Sequence, residues 1–125
     1  MLVLDSSVWI EWLRDSGFAS RIESIVRDQE EMVVPTIVQL EVYKWLMREK
    51  DRRQAEAFLA YSQQQIVLPL TTFLAVRAAE AHQRHKLATA DAIIYATALH
   101  MEADLLTCDA HFKDLPGVVF LDKGV

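Results

Sequence analysis

The sequence predicts an α/β fold, a three-layer sandwich around a mostly parallel central sheet of four to five short strands. Apolar runs of strand length alternate along the chain with longer segments whose apolar residues have helical spacing. Strands separated by helices are typical of parallel sheets with helices on both faces. The chain has 125 residues, of which 52% are hydrophobic, and no internal repeat. We therefore expect a single domain over residues 1–125 with one core.

The N-terminal segment predicts a buried strand followed at once by a helix. Leu2–Leu4 is entirely apolar. Asp5, Ser6 and Ser7 follow, and these residue types favour the N-cap of a helix, here over residues 8–13. Asp5 is therefore expected at a strand-to-helix turn.

The middle of the chain predicts three more helices and two more strands. Residues 18–29 and 36–48 have apolar side chains at helical spacing, and Met32–Pro35 between them is strand-like and ends at a proline. Residues 51–65 alternate charged and apolar side chains as a surface helix does. Residues 66–70 then predict a third strand.

The C-terminal third predicts two helices and two strands. Thr71 or Thr72 can cap a helix that runs towards Lys86, and the small residues at 88–92 begin another. Residues 104–107 predict a short strand that leads into Asp109, and residues 118–121 predict a last strand that closes the sheet.

Composition excludes several classes of protein. The longest apolar stretch, residues 92–99, is far shorter than the roughly 18 residues of a membrane span, so we expect a soluble, cytoplasmic protein. A single cysteine, Cys108, excludes an internal disulfide and a cysteine-rich zinc site. The net charge of −5 argues against a general nucleic-acid coat protein. It does not exclude a nuclease, because metal ions bound at converging acids reverse the local field.

Four carboxylates are candidates for one metal site. Asp5 and Asp109 each follow a predicted strand, where ligand sites form in such folds, and Asp91 lies in the first turn of a predicted helix. Asp91 and Glu41 stand in segments too apolar for solvated surface acids. Any one of the four alone is more simply a cap or a surface acid, but converging carboxylates suit Mg²⁺, which assists phosphodiester hydrolysis.

Four segments of the chain resemble the PIN-domain family, and more narrowly the VapC toxins of bacterial toxin-antitoxin pairs. They occur in order over nearly the whole chain, and the last two are the most specific. The segments are Leu-Asp-Ser-Ser-Val at 4–8, Pro-Thr-Ile-Val-Gln-Leu-Glu-Val at 35–42, Thr-Ala-Asp-Ala-Ile-Ile-Tyr-Ala-Thr-Ala at 89–98 and Leu-Leu-Thr-Cys-Asp-Ala-His-Phe at 105–112.

The resemblance implies a function and its residues. It implies a Mg²⁺-dependent endoribonuclease, with Mn²⁺ as a possible substitute, that inhibits translation as a homodimer and is held inactive by a VapB-like antitoxin. Asp5, Glu41, Asp91 and Asp109 become the catalytic, metal-binding acids, with Asp5 and Asp91 the strongest ligand candidates. Thr107 corresponds to a hydroxyl residue that helps to order the site. Ser6 and Ser7 match less specific supporting positions.

Other residues have simpler interpretations. Two basic edges are candidates for guiding RNA, Lys44 with Arg48 and Arg84 with Lys86, although charge runs are equally often solvated faces. Tryptophans at helical spacing are more often core or interface residues than base-stacking ones. Cys108 is interpreted as a structural thiol. The four histidines are expected at the surface or at caps.

Two alternatives from other classes stay open. A phosphoacceptor domain also holds Mg²⁺ with acids at strand ends, but it needs paired acids after the first strand, where this chain has Asp5-Ser6-Ser7. A non-catalytic interaction domain could keep the fold without the chemistry. The presence of all four acids argues against a non-catalytic domain. Metal titration separates it from the nuclease, because a non-catalytic domain should show no Mg²⁺ or Mn²⁺ binding that depends on Asp5.

Overall fold

The computed structural model describes residues 1–29 and 31–123. Over these residues the chain forms five strands and six α-helices, with one 3₁₀ turn at Ala110–Phe112. The strands are β1 (Leu2–Leu4), β2 (Met32–Pro35), β3 (Ile66–Leu68), β4 (Asp104–Thr107) and β5 (Val118–Phe120). The helices are α1 (Ser6–Leu13), α2 (Ala19–Arg27), α3 (Thr36–Glu49), α4 (Arg52–Ser62), α5 (Thr72–His85) and α6 (Thr89–His100).

The five strands form one parallel sheet in the order β3-β2-β1-β4-β5. The chain moves outwards from β1 to β3 and then crosses back to β4. Because such crossovers are right-handed, helices that follow β1 and β2 cover one face, and those that follow β3 cover the other. The sandwich predicted from the alternation of strands and helices is confirmed.

The direction of the connections reverses between β1 and β4, which pair directly through Val3 and Leu105. Such a reversal opens a crevice at the carboxyl ends of the two strands, and ligand sites of α/β sheets lie in crevices of this kind. Asp5 follows β1 and Asp109 follows β4 by two residues. The topology thus places both acids at this crevice.

The central strands form the middle of the hydrophobic core. All residues of β1 and β2 are buried, as a parallel sheet covered on both faces requires. On α3, the apolar residues Val38, Val42 and Leu46 recur every four positions and are buried, which fixes the helix against the sheet. With these residues facing the sheet, Glu41 lies on the side of α3 and is half-buried.

Several predicted elements end earlier in the structure than in the sequence analysis. The third strand stops at Leu68 and the helix after it begins at Thr72 with Thr71 as its cap. Helix α5 ends where Lys86 adopts φ 59°, in the left-handed region that terminates helices. None of the described helices is long and apolar enough to cross a membrane.

Candidate metal centre

Asp5 is the most constrained acid of the crevice. Its side chain caps α1, because Oδ1 accepts a hydrogen bond of 2.8 Å from the Ser6 amide. Oδ2 accepts two more, each 2.8 Å long, from the hydroxyls of Ser7 and Thr107. Burial raises the pKa of Asp5 above its ordinary value, and these three hydrogen bonds oppose that shift. The carboxylate is therefore buried but well supplied with donors.

Thr107 joins the two strands that flank the crevice. Its hydroxyl donates to Asp5 and also accepts a hydrogen bond of 2.9 Å from the backbone amide of Asp109. Ser7 makes a parallel link, since its hydroxyl accepts from the Cys108 amide at 3.3 Å. The loop after β4 is thus held in register with the carboxylate after β1.

Glu41 is brought to the same place from α3. The Ser6 hydroxyl donates a hydrogen bond of 2.6 Å to Glu41 Oε1. Ser6 is itself buried at the first position of α1, so the contact orients Glu41 across the two helices. Ser6 therefore has a definite supporting contact.

Asp91 carries the clearest electrostatic signature of the site. Burial, followed by the negative charges of Asp5, Asp109 and Glu41, raises its pKa from 3.8 to about 6. The negative charges of the other three predicted acids therefore all act on Asp91. A cation at this point would relieve the repulsion.

Asp91, Asp109 and His111 provide the group best placed to hold a metal ion. One possible ligand atom from each lies within 4.8 Å of the other two. His111 Nδ1 lies 3.0 Å from Asp109 Oδ1, which also accepts the backbone amide of His111 at 2.9 Å. This geometry follows from the 3₁₀ turn, which Asp109 caps and which directs the next residues back over the crevice.

The donor set fits a divalent cation. Carboxylate oxygens are the ligands of hard ions such as Mg²⁺, and an added imidazole is acceptable to Mn²⁺ and other transition ions. Asp91 and Asp109 would hold such an ion together with His111, and the negative charges of Asp5 and Glu41 would add to the attraction. Because the side chain of His111 is 82% exposed, the site is open to solvent at this edge.

His111 is the residue that sequence reasoning underestimated. The sequence pattern predicts this histidine at the surface or at a cap, and its exposure agrees with that prediction. The pattern does not predict that His111 lies close to Asp91 and Asp109. The signal was its position two residues after Asp109, at the spacing of a tight turn.

The other predicted residues have mixed outcomes. Burial raises the pKa of the Cys108 thiol, which agrees with a structural role. Arg48 is exposed and pairs with Glu49 at 3.3 Å. Lys44 is exposed on α3, while Arg84 and Lys86 are exposed at the end of α5, beside the connection to α6 and Asp91. Their assignment to RNA remains a prediction.

Comparison with protein families gives one match. The model of the PIN domain family covers residues 2–118 of the chain. A search of curated proteins found no significant match.

Comparison with solved structures finds the same fold in toxin-antitoxin systems. A chain of a toxin-antitoxin complex from Klebsiella pneumoniae has 21% identity and a TM-score of 0.80, over 95% of this chain and 96% of that one. VapC20 from Mycobacterium tuberculosis, described as a toxin that cleaves the sarcin-ricin loop, has 18% identity and a TM-score of 0.78, over 94% and 97%. A chain of DNA-bound VapBC from Salmonella typhimurium has 15% identity and a TM-score of 0.73, over 97% and 96%. At these identities the likeness concerns the fold.

Proposed function

Since this chain belongs to the PIN domain family, we propose that it is a Mg²⁺-dependent endoribonuclease and the toxin of a toxin-antitoxin pair. The observation that carries the proposal is the grouping of Asp91, Asp109 and His111, whose possible ligand atoms lie within 4.8 Å of one another. Burial, followed by the charges of the other predicted acids, raises the pKa of Asp91 to about 6. Like charges brought together in a half-buried crevice are costly, and a bound cation would offset that cost. The VapC20 comparison adds a fold neighbour that cleaves RNA.

The residues of the site have separable roles in this proposal. A bound Mg²⁺ or Mn²⁺ would activate water and stabilise the charge on the leaving oxygen. Asp91 and Asp109 would hold the cation, and Asp5, which accepts hydrogen bonds from Thr107 and Ser7, would supply a third negative charge. Glu41, which accepts a hydrogen bond from Ser6, would orient the attacking water.

The test is cleavage of total cellular RNA by the purified chain, with cleavage sites mapped from the new RNA ends. Cuts should form with Mg²⁺ or Mn²⁺, disappear with EDTA and return when metal is restored. Identical cuts in EDTA would contradict a metal-dependent mechanism. An absence of cuts under all conditions would favour the non-catalytic alternative.

The phosphoacceptor alternative has less support. It needs paired acids after the first strand, whereas β1 is followed by the single acid Asp5 and then by Ser6 and Ser7. Family membership also favours the nuclease. No observation favours this second function.

We also propose an antitoxin as the partner, because the structural neighbours include toxin-antitoxin complexes. A largely apolar cavity of about 470 Å³ lies where α1 and α4 meet, lined by Trp9, Trp12, Phe58 and Tyr61. Trp9 and Trp12 stack with centroids 5.5 Å apart, and the ring of Tyr61 meets both edge-on. A C-terminal antitoxin segment lying here would reach the acids with an Arg or Lys and exclude the metal.

Coexpression tests this partner. The chain alone should arrest growth, and the product of its neighbouring reading frame should relieve the arrest. Charge reversal of the basic residue in the antitoxin tail should abolish relief. If the chain alone causes no arrest, or if the reversed tail neutralises as well as the original, this mechanism of control is wrong.

A further inference from the structure

A second cavity, of about 340 Å³, opens between α5 and α6, away from the α1–α4 aromatic cavity. We call it the α5–α6 groove. Its floor is apolar and consists of Ala81, Ala96 and Leu99. Leu99 is 49% exposed, so the floor is accessible to a flat apolar group.

The rim of the α5–α6 groove is cationic, although the whole chain is acidic. The net charge is −5, yet residues 72–86 contain three Arg or Lys side chains and a single acid. That acid, Glu80, is already paired with Arg77 at 2.8 Å. Arg84 and two histidines, His85 and His100, complete the rim. The groove is thus complementary to a negatively charged ligand.

One end of the α5–α6 groove carries an exposed aromatic ring that lies between a guanidinium and an imidazole ring. Phe73 is 51% exposed. The guanidinium of Arg77 lies 4.9 Å from the centre of its ring, and the His100 ring lies 5.3 Å away. Exposed aromatic rings and guanidinium planes are the surfaces on which unpaired nucleobases stack. An acidic peptide would use the charges but has no need of such a stacking surface.

The opposite end of the α5–α6 groove approaches the metal centre. The ring of His85 meets the ring of Tyr95 edge-on, with centroids 5.5 Å apart. Tyr95 lies one helical turn after Asp91 on α6 and also contacts Phe112, the residue after His111. The buried ring of Tyr95 thus links this end of the groove to the segment that carries the metal centre.

We infer that the α5–α6 groove binds the single-stranded RNA that flanks the cleaved bond. The inference rests on the proposed ribonuclease function and adds where the substrate lies and in what form. Arg77 and Arg84 are seven residues apart, about 10 Å along the helix, and contact phosphates of different nucleotides. A base between them covers the apolar floor, and a base on the other side of Arg77 stacks at Phe73. Double-stranded RNA, whose bases are already stacked, gains only the phosphate contacts.

The test measures RNA binding without cleavage. In an Asp91→Asn background, the affinity for an unstructured oligonucleotide of about 12 nucleotides is measured at several salt concentrations, with metal present. Replacing Arg77 and Arg84 together by Ala should weaken binding about tenfold or more, and the salt dependence should fall by about 1.4 in logarithmic slope, as two lost phosphate contacts require. Replacing both by Lys should retain most of the slope.

A matched control is available on α2. Arg27 is paired with Glu23 at 3.2 Å, much as Arg77 is paired with Glu80, and Arg21 lies on the same exposed helix. Replacing Arg21 and Arg27 together by Ala removes the same charge and should change the affinity less than twofold. Equal losses in both double variants would overturn the inference, because the effect would then be one of net charge.

Cross-linking gives a second readout that folding defects do not mimic. An oligonucleotide with 4-thiouridine a few nucleotides away from the cleaved bond should cross-link to peptides containing Phe73 or His100, which lie at the end of the groove far from the metal centre. Unchanged RNA affinity in the Arg77, Arg84 double variant would overturn the groove as an RNA site and leave the ribonuclease proposal intact. The same holds if the double variant loses antitoxin binding but keeps RNA binding. If the parent protein binds no RNA, both fail.

Discussion

The hydroxyl of Thr107 donates a 2.8 Å hydrogen bond to Asp5 Oδ2 across 102 positions of sequence. The Thr107 hydroxyl oxygen also accepts a hydrogen bond of 2.9 Å from the backbone amide of Asp109. One buried hydroxyl therefore fixes the distance between two acids on neighbouring strands. A metal site needs this rigidity, because a loosely held ligand must be ordered at a cost in affinity.

Replacing Thr107 by Val should test this relationship. The change keeps the shape of the side chain but leaves Asp109 N without its acceptor and removes one of the donors to Asp5. We expect a loss of about 1–3 kcal/mol in the free energy of unfolding, measured in urea, together with weaker Mn²⁺ binding. Thr107→Ser should restore much of both, and a Val variant with wild-type stability and affinity would contradict the assigned role.

The metal-free protein should become less stable as pH rises through the titration of Asp91. The folded pKa of about 6 exceeds the ordinary 3.8, so between these values the folded state holds more protons than the unfolded state. Stability therefore falls from about pH 4 to pH 6 and is then constant with respect to this group. Unfolding midpoints in EDTA measure the trend, and Mg²⁺ should reverse the loss above pH 6.

Asp91→Asn should stabilise the metal-free protein at pH 7, because it removes a charge that the fold disfavours. Asp91 is partly exposed, so solvent screening limits the gain to about 1 kcal/mol or less. The pH trend should also become flatter than in the wild type. A metal-free variant that is less stable than the wild type at pH 7, with an unchanged pH trend, would show that the carboxylates are not in mutual repulsion.

His111→Ala should weaken Mn²⁺ binding several-fold without changing the fold, because the side chain is mostly exposed and contacts Asp109. Nitrogen coupling in the electron spin-echo spectrum of bound Mn²⁺ would identify the imidazole as a ligand. Its absence, combined with weaker binding, would assign His111 to the orientation of Asp109. Unchanged Mn²⁺ affinity would remove His111 from the site.

The sequence was sufficient for the framework of the fold. Short, entirely apolar runs such as Leu2–Leu4 favour buried strands. On α3, apolar residues recur at helical spacing at three successive positions of the buried face. Asp5 and Asp109 could be placed because parallel strands put their carboxyl ends at one edge. Local pattern and topology thus agreed at these positions.

Contacts between distant segments could not be predicted in the same way. The Ser6 to Glu41 bond joins residues 35 positions apart and depends on how α1 crosses α3. Lys123, which donates at 2.8 Å to the buried Glu11, lies 112 positions away from it. The α5–α6 groove likewise depends on the packing of the two helices, although its charges were visible in the sequence.

The homodimer remains a prediction, and the structure changes which residues are candidates for its interface. The family resemblance implies the dimer, and of the tryptophans in the early helices Trp9 is only 1% exposed and belongs to the core. Exposed apolar side chains elsewhere, among them Leu40, Leu70 and Val76, are alternative contacts. Light scattering should give twice the chain mass of 14.3 kDa at micromolar concentration. A monomer mass up to near-millimolar concentration would exclude the dimer.

The most direct test of the central claim is the single-turnover rate of RNA cleavage by the wild type, Asp91→Asn and Asp104→Asn. Asp104 is an exposed acid at the amino end of β4, opposite the crevice, so its variant makes the same chemical change outside the site. With saturating Mg²⁺, Asp91→Asn should be slower by about a hundredfold or more, while Asp104→Asn should match the wild type. A folded Asp91→Asn protein that cleaves RNA at the wild-type rate would contradict the carboxylate mechanism.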